Sequence, residues 1–267
     1  MVFLEYLPGD SIFHRLDVRS KVFWLIAVLI LSFIFNDPLY VLGIMIGVLL
    51  IAFYIGLPFN RLRTMFQPLI PVMICIVLFT GFGFQPDYFA KDASRKVLFD
   101  ILGLPITVGG IMIGVTFLIR LMIIIVSTSI VTLTTRFDDF IALMRKIRFP
   151  YALTLAVSIA FRFIPTLMKE LETVMDAQQA RGLDLERGGF VQKIKKRIPL
   201  MIPMLVGGIR HAENLAIAIL VRGFGVSENR TILYDIKFSR MDYIVCALVL
   251  LATLIGAYIR LIGLGIL

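Results

Sequence analysis

The sequence predicts an all-α integral membrane protein with about five transmembrane helices and a group of cytoplasmic amphipathic helices between the fourth and the fifth. Three features predict it: an apolar composition, a succession of span-length apolar runs, and one long basic interval. Of 267 residues, 59% are hydrophobic and 17% charged. The mean hydropathy of +0.94 exceeds what a soluble globular chain carries without exposing apolar surface, so lipid is the solvent for much of the chain. The formal charge of +9 therefore reports orientation in the bilayer, and no nucleic-acid partner is expected.

The amino-terminal stretch MVFLEYLPGDSIFHRLD carries Glu5 and Asp10 and lacks a compact apolar core before a small-residue cleavage site. It is expected to be retained rather than cleaved as a signal peptide. A spanning helix needs about 20 mostly apolar residues to cross a hydrocarbon core of roughly 30 Å. The first two candidates, residues 22–35 and 38–57, flank Asn36-Asp37-Pro38, a polar break that turns the chain straight back. The third covers residues 66–84, the fourth 106–133 and the fifth 243–262. The predicted organisation is a membrane bundle over 1–135, a cytoplasmic region over 136–240 and a last transmembrane helix within 241–267.

The interval 136–240 holds 17 of the 27 Lys and Arg residues, which places it in the cytoplasm. That choice puts Arg15, Arg19, Lys21, Arg61 and Arg63 inside as well. It leaves Lys91, Arg95, Lys96 and Arg260 outside, partly balanced by Asp87, Asp92 and Asp100. The amino terminus is expected inside and the carboxyl terminus outside. Residues 151–168, YALTLAVSIAFRFIPTLM, are apolar enough for a sixth span. Spanning there exports Lys193, Lys195, Lys196 and Arg197 while Arg145, Lys146 and Arg148 stay inside, so this segment is read as an interfacial or partly buried helix.

From Pro165 onward, Leu167, Leu171, Val174 and Gln178 recur at helical spacing, while Lys169, Glu170, Glu172 and Asp176 occupy other faces. This amphipathic helix is predicted to end at Gly182. A second begins near Phe190, with Ile194, Ile198, Met201, Leu205, Ile209, Ala212, Ala216 and Ile219 on one stripe, and ends at Gly223. Pro199 and Pro203 are expected to bend or divide it. Arg210, His211, Glu213 and Asn214 make it too polar for a lipid-facing span. Met144, Met168, Met175, Met201 and Met204 fill the segment's core or give it an adaptable apolar surface.

Both helices close on one tripeptide form, Ala180-Arg181-Gly182 and Val221-Arg222-Gly223. The plain reading is two helix caps, each glycine supplying the left-handed residue and each arginine favoured by the helix dipole. Two such ends in one basic segment also suit docking, because an arginine projecting from a helix end pairs bidentately with a partner's carboxylate.

The run FRFIPTLMKELETVMDAQQARG, the second helix closing on VRG, the stretch LPGDSIFHRLDVRSKV and the five-span plan together resemble the T subunit of energy-coupling factor transporters, the EcfT family. The resemblance covers the whole chain. It implies two X-Arg-X motifs, usually Ala-Arg-Gly, that insert into grooves of two ATP-binding ATPase subunits. It also implies a membrane-embedded S subunit that binds the vitamin or metal ion and packs on the remaining surface. Arg181 matches the first motif outright; the second departs from it in having Val221 where alanine is usual. The chain itself is then expected to be a non-catalytic coupling subunit with no cofactor.

Other chemistry is sparse. Gly109-Gly110-Ile-Met-Ile-Gly114 has phosphate-loop glycine spacing, but Val115 stands where the motif needs lysine, so no nucleotide site is expected. Gly110 and Gly114, like Gly43 and Gly47, instead suit close helix approach. Arg120, near the middle of the fourth span, marks either a function or an interior contact with backbone carbonyls. Cys75 and Cys246 lie inside apolar runs and form no disulfide or metal pattern. His14 and His211 are isolated, which suits surface or cap roles and gives no catalytic dyad. The alternative functions are a self-contained secondary transporter and a membrane-bound enzyme. The first calls for internal repeats and intramembrane ionisable groups beyond Arg120, the second for a clustered acid, base, nucleophile or metal set.

Overall fold

The computed structural model describes residues 9, 11–57, 59–83, 97–101, 104–184, 189–226, 236 and 238–262. Asp87, Lys91, Asp92, Arg95 and Lys96, the charges expected on the outer side, lie outside the described residues, as do Glu5 and Asp10. The chain divides into two units, Met1–Leu143 with Ile236–Leu267, and Met144–Asp235.

The first unit opens with one helical turn, α1 (Ile12–Arg15), and then α2 (Val18–Ile34). Asp17 caps α2 by accepting the Arg19 amide. The break after α2 works as its residues dictate: Asp37 accepts the Leu39 amide and Pro38 sits at the first turn of α3 (Pro38–Ile55). Gly56, at φ 79°, ends α3 in the left-handed conformation. Then come α4 (Phe59–Phe66), a turn of 3-10 helix at Gln67–Leu69, and α5 (Ile70–Gly83). A short antiparallel hairpin, β1 (Val97–Ile101) with β2 (Leu104–Thr107), leads into α6 (Val108–Thr134). The predicted fourth span started two residues too early, because Ile106 is still in β2 and the Thr107 side chain caps α6 through the Gly110 amide. Helix α7 (Phe137–Lys146) carries Asp138 and Asp139 in its first turn, and α10 (Arg240–Leu261) closes the unit.

Helix α6 is the centre of this bundle, packed by α2, α3 and α5, with α10 against α2. Trp24, Val28, Phe35, Val41, Val48, Ala52, Ile123, Val126, Ile130 and Val131 form the buried core. The outer face of α3 presents Leu39, Leu42, Ile46, Leu50 and Phe53. A helix apolar on all sides, with large side chains outward, fits lipid as its surroundings.

The second unit contains α8 (Tyr151–Ala180) and α9 (Phe190–Val221), packed on each other. The interfacial helix and the amphipathic helix expected over 151–182 are one continuous helix that passes through Pro165. Pro199 and Pro203 do not divide α9. They sit one turn apart on an exposed side, so both missing amide donors fall where the freed carbonyls need no protein partner. The large side chains of the predicted α9 stripe, Ile194, Ile198, Met201, Leu205 and Ile209, are exposed, while Leu200 is buried and Met204, Gly207, His211 and Leu215 are half-buried. The sequence therefore shows the outward stripe more clearly than the face that packs.

Six helical segments among the described residues are long and apolar enough to cross a membrane: Pro38–Ile55, Arg63–Thr80, Val108–Thr134, Tyr151–Ala180, Val191–Val221 and Arg240–Leu261. The first predicted span falls in α2, whose 17 residues are just short of that length. Length and composition thus admit α8 and α9 as well. The chain is an all-α integral membrane protein, with the hairpin as its sheet among the described residues.

Candidate functional site

The ends of α8 and α9 have the same construction. Gln178 and Gln179 carbonyls accept the Leu183 and Gly182 amides, and Ile219 and Leu220 carbonyls accept those of Phe224 and Gly223. These pairs are Schellman motifs, with Gly182 at φ 88° and Gly223 at φ 78°. Arg181 (φ −82°, ψ 7°) and Arg222 (φ −79°, ψ 9°) occupy equivalent cap positions. Backbone and glycine complete both caps without either guanidinium. Ala180, Arg181, Gly182, Val221, Arg222 and Gly223 are all exposed, and neither arginine side chain bonds another described residue. Two cations of equivalent geometry are thus presented outward.

Between those ends, His211 of α9 donates from Nε2 to the Glu170 carboxylate of α8, and the Phe163 ring lies 6.0 Å from the imidazole. The Tyr151 ring, at the start of α8, lies 5.9 Å from Phe224, just past the end of α9. These contacts show that α8 and α9 run in opposite directions, so Arg181 and Arg222 lie at opposite ends of the pair. The sequence reading set Glu170 off the apolar stripe of α8 and left His211 isolated; the structure pairs the two across the helices. A polar residue a few positions from an apolar stripe was the available signal, and it does not name its partner.

Arg120 is buried in the first unit, donating from Nε to the Ser32 carbonyl at 3.0 Å and from Nη2 to the Phe35 carbonyl at 3.1 Å. Its guanidinium also lies 4.6 Å from the Phe33 ring centre and 5.1 Å from that of Phe117. One turn earlier, Thr116 donates to the Asn36 carbonyl at 3.1 Å. Gly110 and Gly114 are both buried, and a β-carbon on Gly114 would meet the Thr80 hydroxyl at 2.5 Å and Val77 Cα at 3.2 Å, which fixes α6 against α5. Gly43 and Gly47 do not share that role among the described residues, none of which lies within 4 Å of a β-carbon there. Gly256, which the sequence reading passed over, does: its β-carbon would collide with Leu31 Cδ2 of α2.

A second polar junction was also missed. Asp242 accepts the Ser239 amide at its own helix start, and the Asp17 amide and Ser20 hydroxyl at the start of α2, each at 2.8 Å. Lys21 donates to the Thr134 carbonyl at the end of α6, at 2.8 Å. Among the described residues no group of His, Cys, Asp and Glu is placed to hold a metal.

The family described as cobalt transport protein, CbiQ, matches residues 9–233. The chain is 32% identical over 267 residues to the energy-coupling factor transporter transmembrane protein EcfT of Lactococcus lactis subsp. cremoris, spanning 96% of each chain. It is 32% identical over 246 residues to the protein so named in Thermosediminibacter oceani, spanning 89% of each. With that of Bacillus subtilis it shares 31% identity over 267 residues, 96% of this chain and 97% of the other. Matches of this length and identity make the chain a member of the EcfT family, the transmembrane T subunits of energy-coupling factor transporters.

Proposed function

We propose that the chain is the energy-coupling subunit of its transporter, passing ATP-driven motion from two ATPase subunits to a membrane-embedded S subunit that carries a vitamin or a metal ion. The observation that carries this reading is the pair of matching helix ends, each presenting one exposed arginine whose side chain bonds no other described residue. Arg181 and Arg222 each enter an acidic groove on one ATPase, with Ala180, Gly182, Val221 and Gly223 allowing close approach. The outward stripe of Ile194, Ile198, Met201, Leu205 and Ile209 supplies apolar area for the S subunit or the lipid interface. Because the anchors sit at opposite ends of a packed helix pair, relative motion of the ATPases reorients the pair and loads the attached bundle. Hydrolysis belongs to the partners, and the chain supplies position and leverage.

In this reading the amino terminus and residues 136–240 are cytoplasmic, as the ATP supply requires, and the bundle of 1–135 with 241–267 lies in a prokaryotic cell membrane. The test is purification of a tagged chain from native membranes, followed by reconstitution. Co-purifying ATPases and ATP-dependent uptake support coupling; uptake by the chain alone, driven by an ion gradient, would replace it with the secondary-transporter reading.

A further inference from the structure

Glu170 stands eleven residues before Arg181 on α8, and His211 stands eleven residues before Arg222 on α9. Because the helices run in opposite directions, each arginine end lies about 16 Å of helix beyond its own member of the contact, at 1.5 Å per residue. We propose that the Glu170–His211 pair is a register pin: a positioning pair that fixes how α8 lies along α9 and so sets the separation of the two arginine ends along the pair. The role rests on the coupling reading, since a set spacing matters where both ends are held by partners.

Three details support a pin rather than an incidental ion pair. Gly207, one turn before His211, faces the same carboxylate: a β-carbon there would lie in ordinary contact, 3.7 Å from Glu170 Oε2. Phe163 of α8, two turns before Glu170, packs its ring on the same imidazole, so His211 is held by α8 from both sides along the helix axis. The rest of the contact face, Leu200, Met204 and Leu215 on α9 and Leu167, Leu171 and Val174 on α8, is apolar and tolerates a slip of one turn, about 5.4 Å, with little loss of burial. A directional polar contact does not tolerate that slip. The pair's side chains are 38% and 33% exposed, so it adds little to stability and its loss leaves the fold intact.

The experiment uses the full chain in lipid vesicles, with Cys75→Ser and Cys246→Ser and spin labels on Ala177→Cys and Ala218→Cys, exposed sites beside the two arginine ends. The parent chain is expected to give one narrow distance distribution. His211→Ala and Glu170→Ala should broaden it or shift it by about one helical turn, roughly 5 Å, and the exchange Glu170→His with His211→Glu should restore it. Unchanged distributions in both single variants overturn the pin. In complexes reconstituted with the ATPases, the single variants should keep their ATPases and hydrolyse ATP, yet uptake per ATP should fall several-fold and recover in the exchange variant. Register lost with uptake per ATP unchanged overturns the positioning role. Failure of the parent chain to retain ATPases at all counts against the coupling reading, while the distance measurement still decides the pin.

Discussion

Lys21 and Arg120 complete each other's helices: Arg120 of α6 holds the carbonyls that end α2, and Lys21 in the first turn of α2 holds the last carbonyl of α6. A helix end leaves four carbonyls without intrahelical partners, and inside a bundle no water replaces them. The two helices run antiparallel, so each brings a cation to the negative end of the other. Length explains the position of Arg120. Helix α2 has 17 residues and α6 has 27, so the end of α2 falls opposite the middle of α6 and its carbonyls need a donor there. A charge at mid-span thus has a partner in the backbone, without recourse to a substrate.

Replacing Arg120 with Met should therefore destabilise the bundle by about 1–3 kcal/mol for each stranded carbonyl, read as a lower melting temperature in detergent. Uptake should fall only in proportion to folded protein. Uptake abolished with the melting temperature unchanged would instead make Arg120 part of the transport path.

Gly114→Leu should push α5 away from α6, because Thr80 and the Val77 backbone already occupy the space. Overpacking of this kind costs about 1–3 kcal/mol, and the expected readout is loss of the monodisperse peak in size-exclusion chromatography. Gly43→Leu and Gly47→Leu, which meet no described residue, serve as controls and should behave as the parent does.

These contrasts show what the sequence carried. Apolar runs and the Asn36-Asp37-Pro38 break located α3, α5, α6 and α10 because hydrophobic length and turn chemistry are local properties. Asp242 with Ser20 and Glu170 with His211 are joined across 222 and 41 residues, and periodicity holds no information about such partners. Glycine spacing was ambiguous for a related reason: Gly43 and Gly114 look alike until a neighbouring helix is placed against one of them. The Arg-Gly helix ends were legible as caps, since a Schellman motif is written in consecutive residues. What the exposed arginines bind is a property of another surface.

Asp242→Ala should loosen two helix starts at once, since its carboxylate caps α10 and also accepts from Asp17 and Ser20 at the start of α2. A lost cap costs about 1 kcal/mol. Hydrogen exchange should accelerate at the amides of residues 17 and 239 together, and acceleration at 239 alone would mean that the α2 contact is not maintained.

The proposed orientation is tested by a single cysteine at exposed Glu172, in a background with Cys75 and Cys246 replaced. The impermeant thiol reagent should leave it unlabelled in intact cells and label it in inverted vesicles. Labelling from outside would reverse the topology and remove α8 and α9 from the side where ATP is found.

The decisive series concerns Arg181 and Arg222. Since glycine and backbone complete both caps, an arginine acting only through the helix dipole contributes about 0.3–1 kcal/mol, and lysine should replace it fully. An arginine buried in a partner's acidic groove behaves differently. Its removal strands a desolvated carboxylate at a cost of about 2–5 kcal/mol in binding, and lysine rescues poorly because it lacks the planar bidentate fork. The Arg181→Ala, Arg222→Ala double variant should insert and melt like the parent, because neither side chain bonds another described residue. It should nonetheless release its ATPases on purification and lose ATP-dependent uptake, and the double lysine variant should remain close to that phenotype. Each single alanine variant should loosen one ATPase before the other, since the two ends lie at opposite ends of the helix pair. Normal uptake in the double alanine variant would reduce both motifs to helix caps and leave the apolar stripe of α9 as the surface on which to look for the partner.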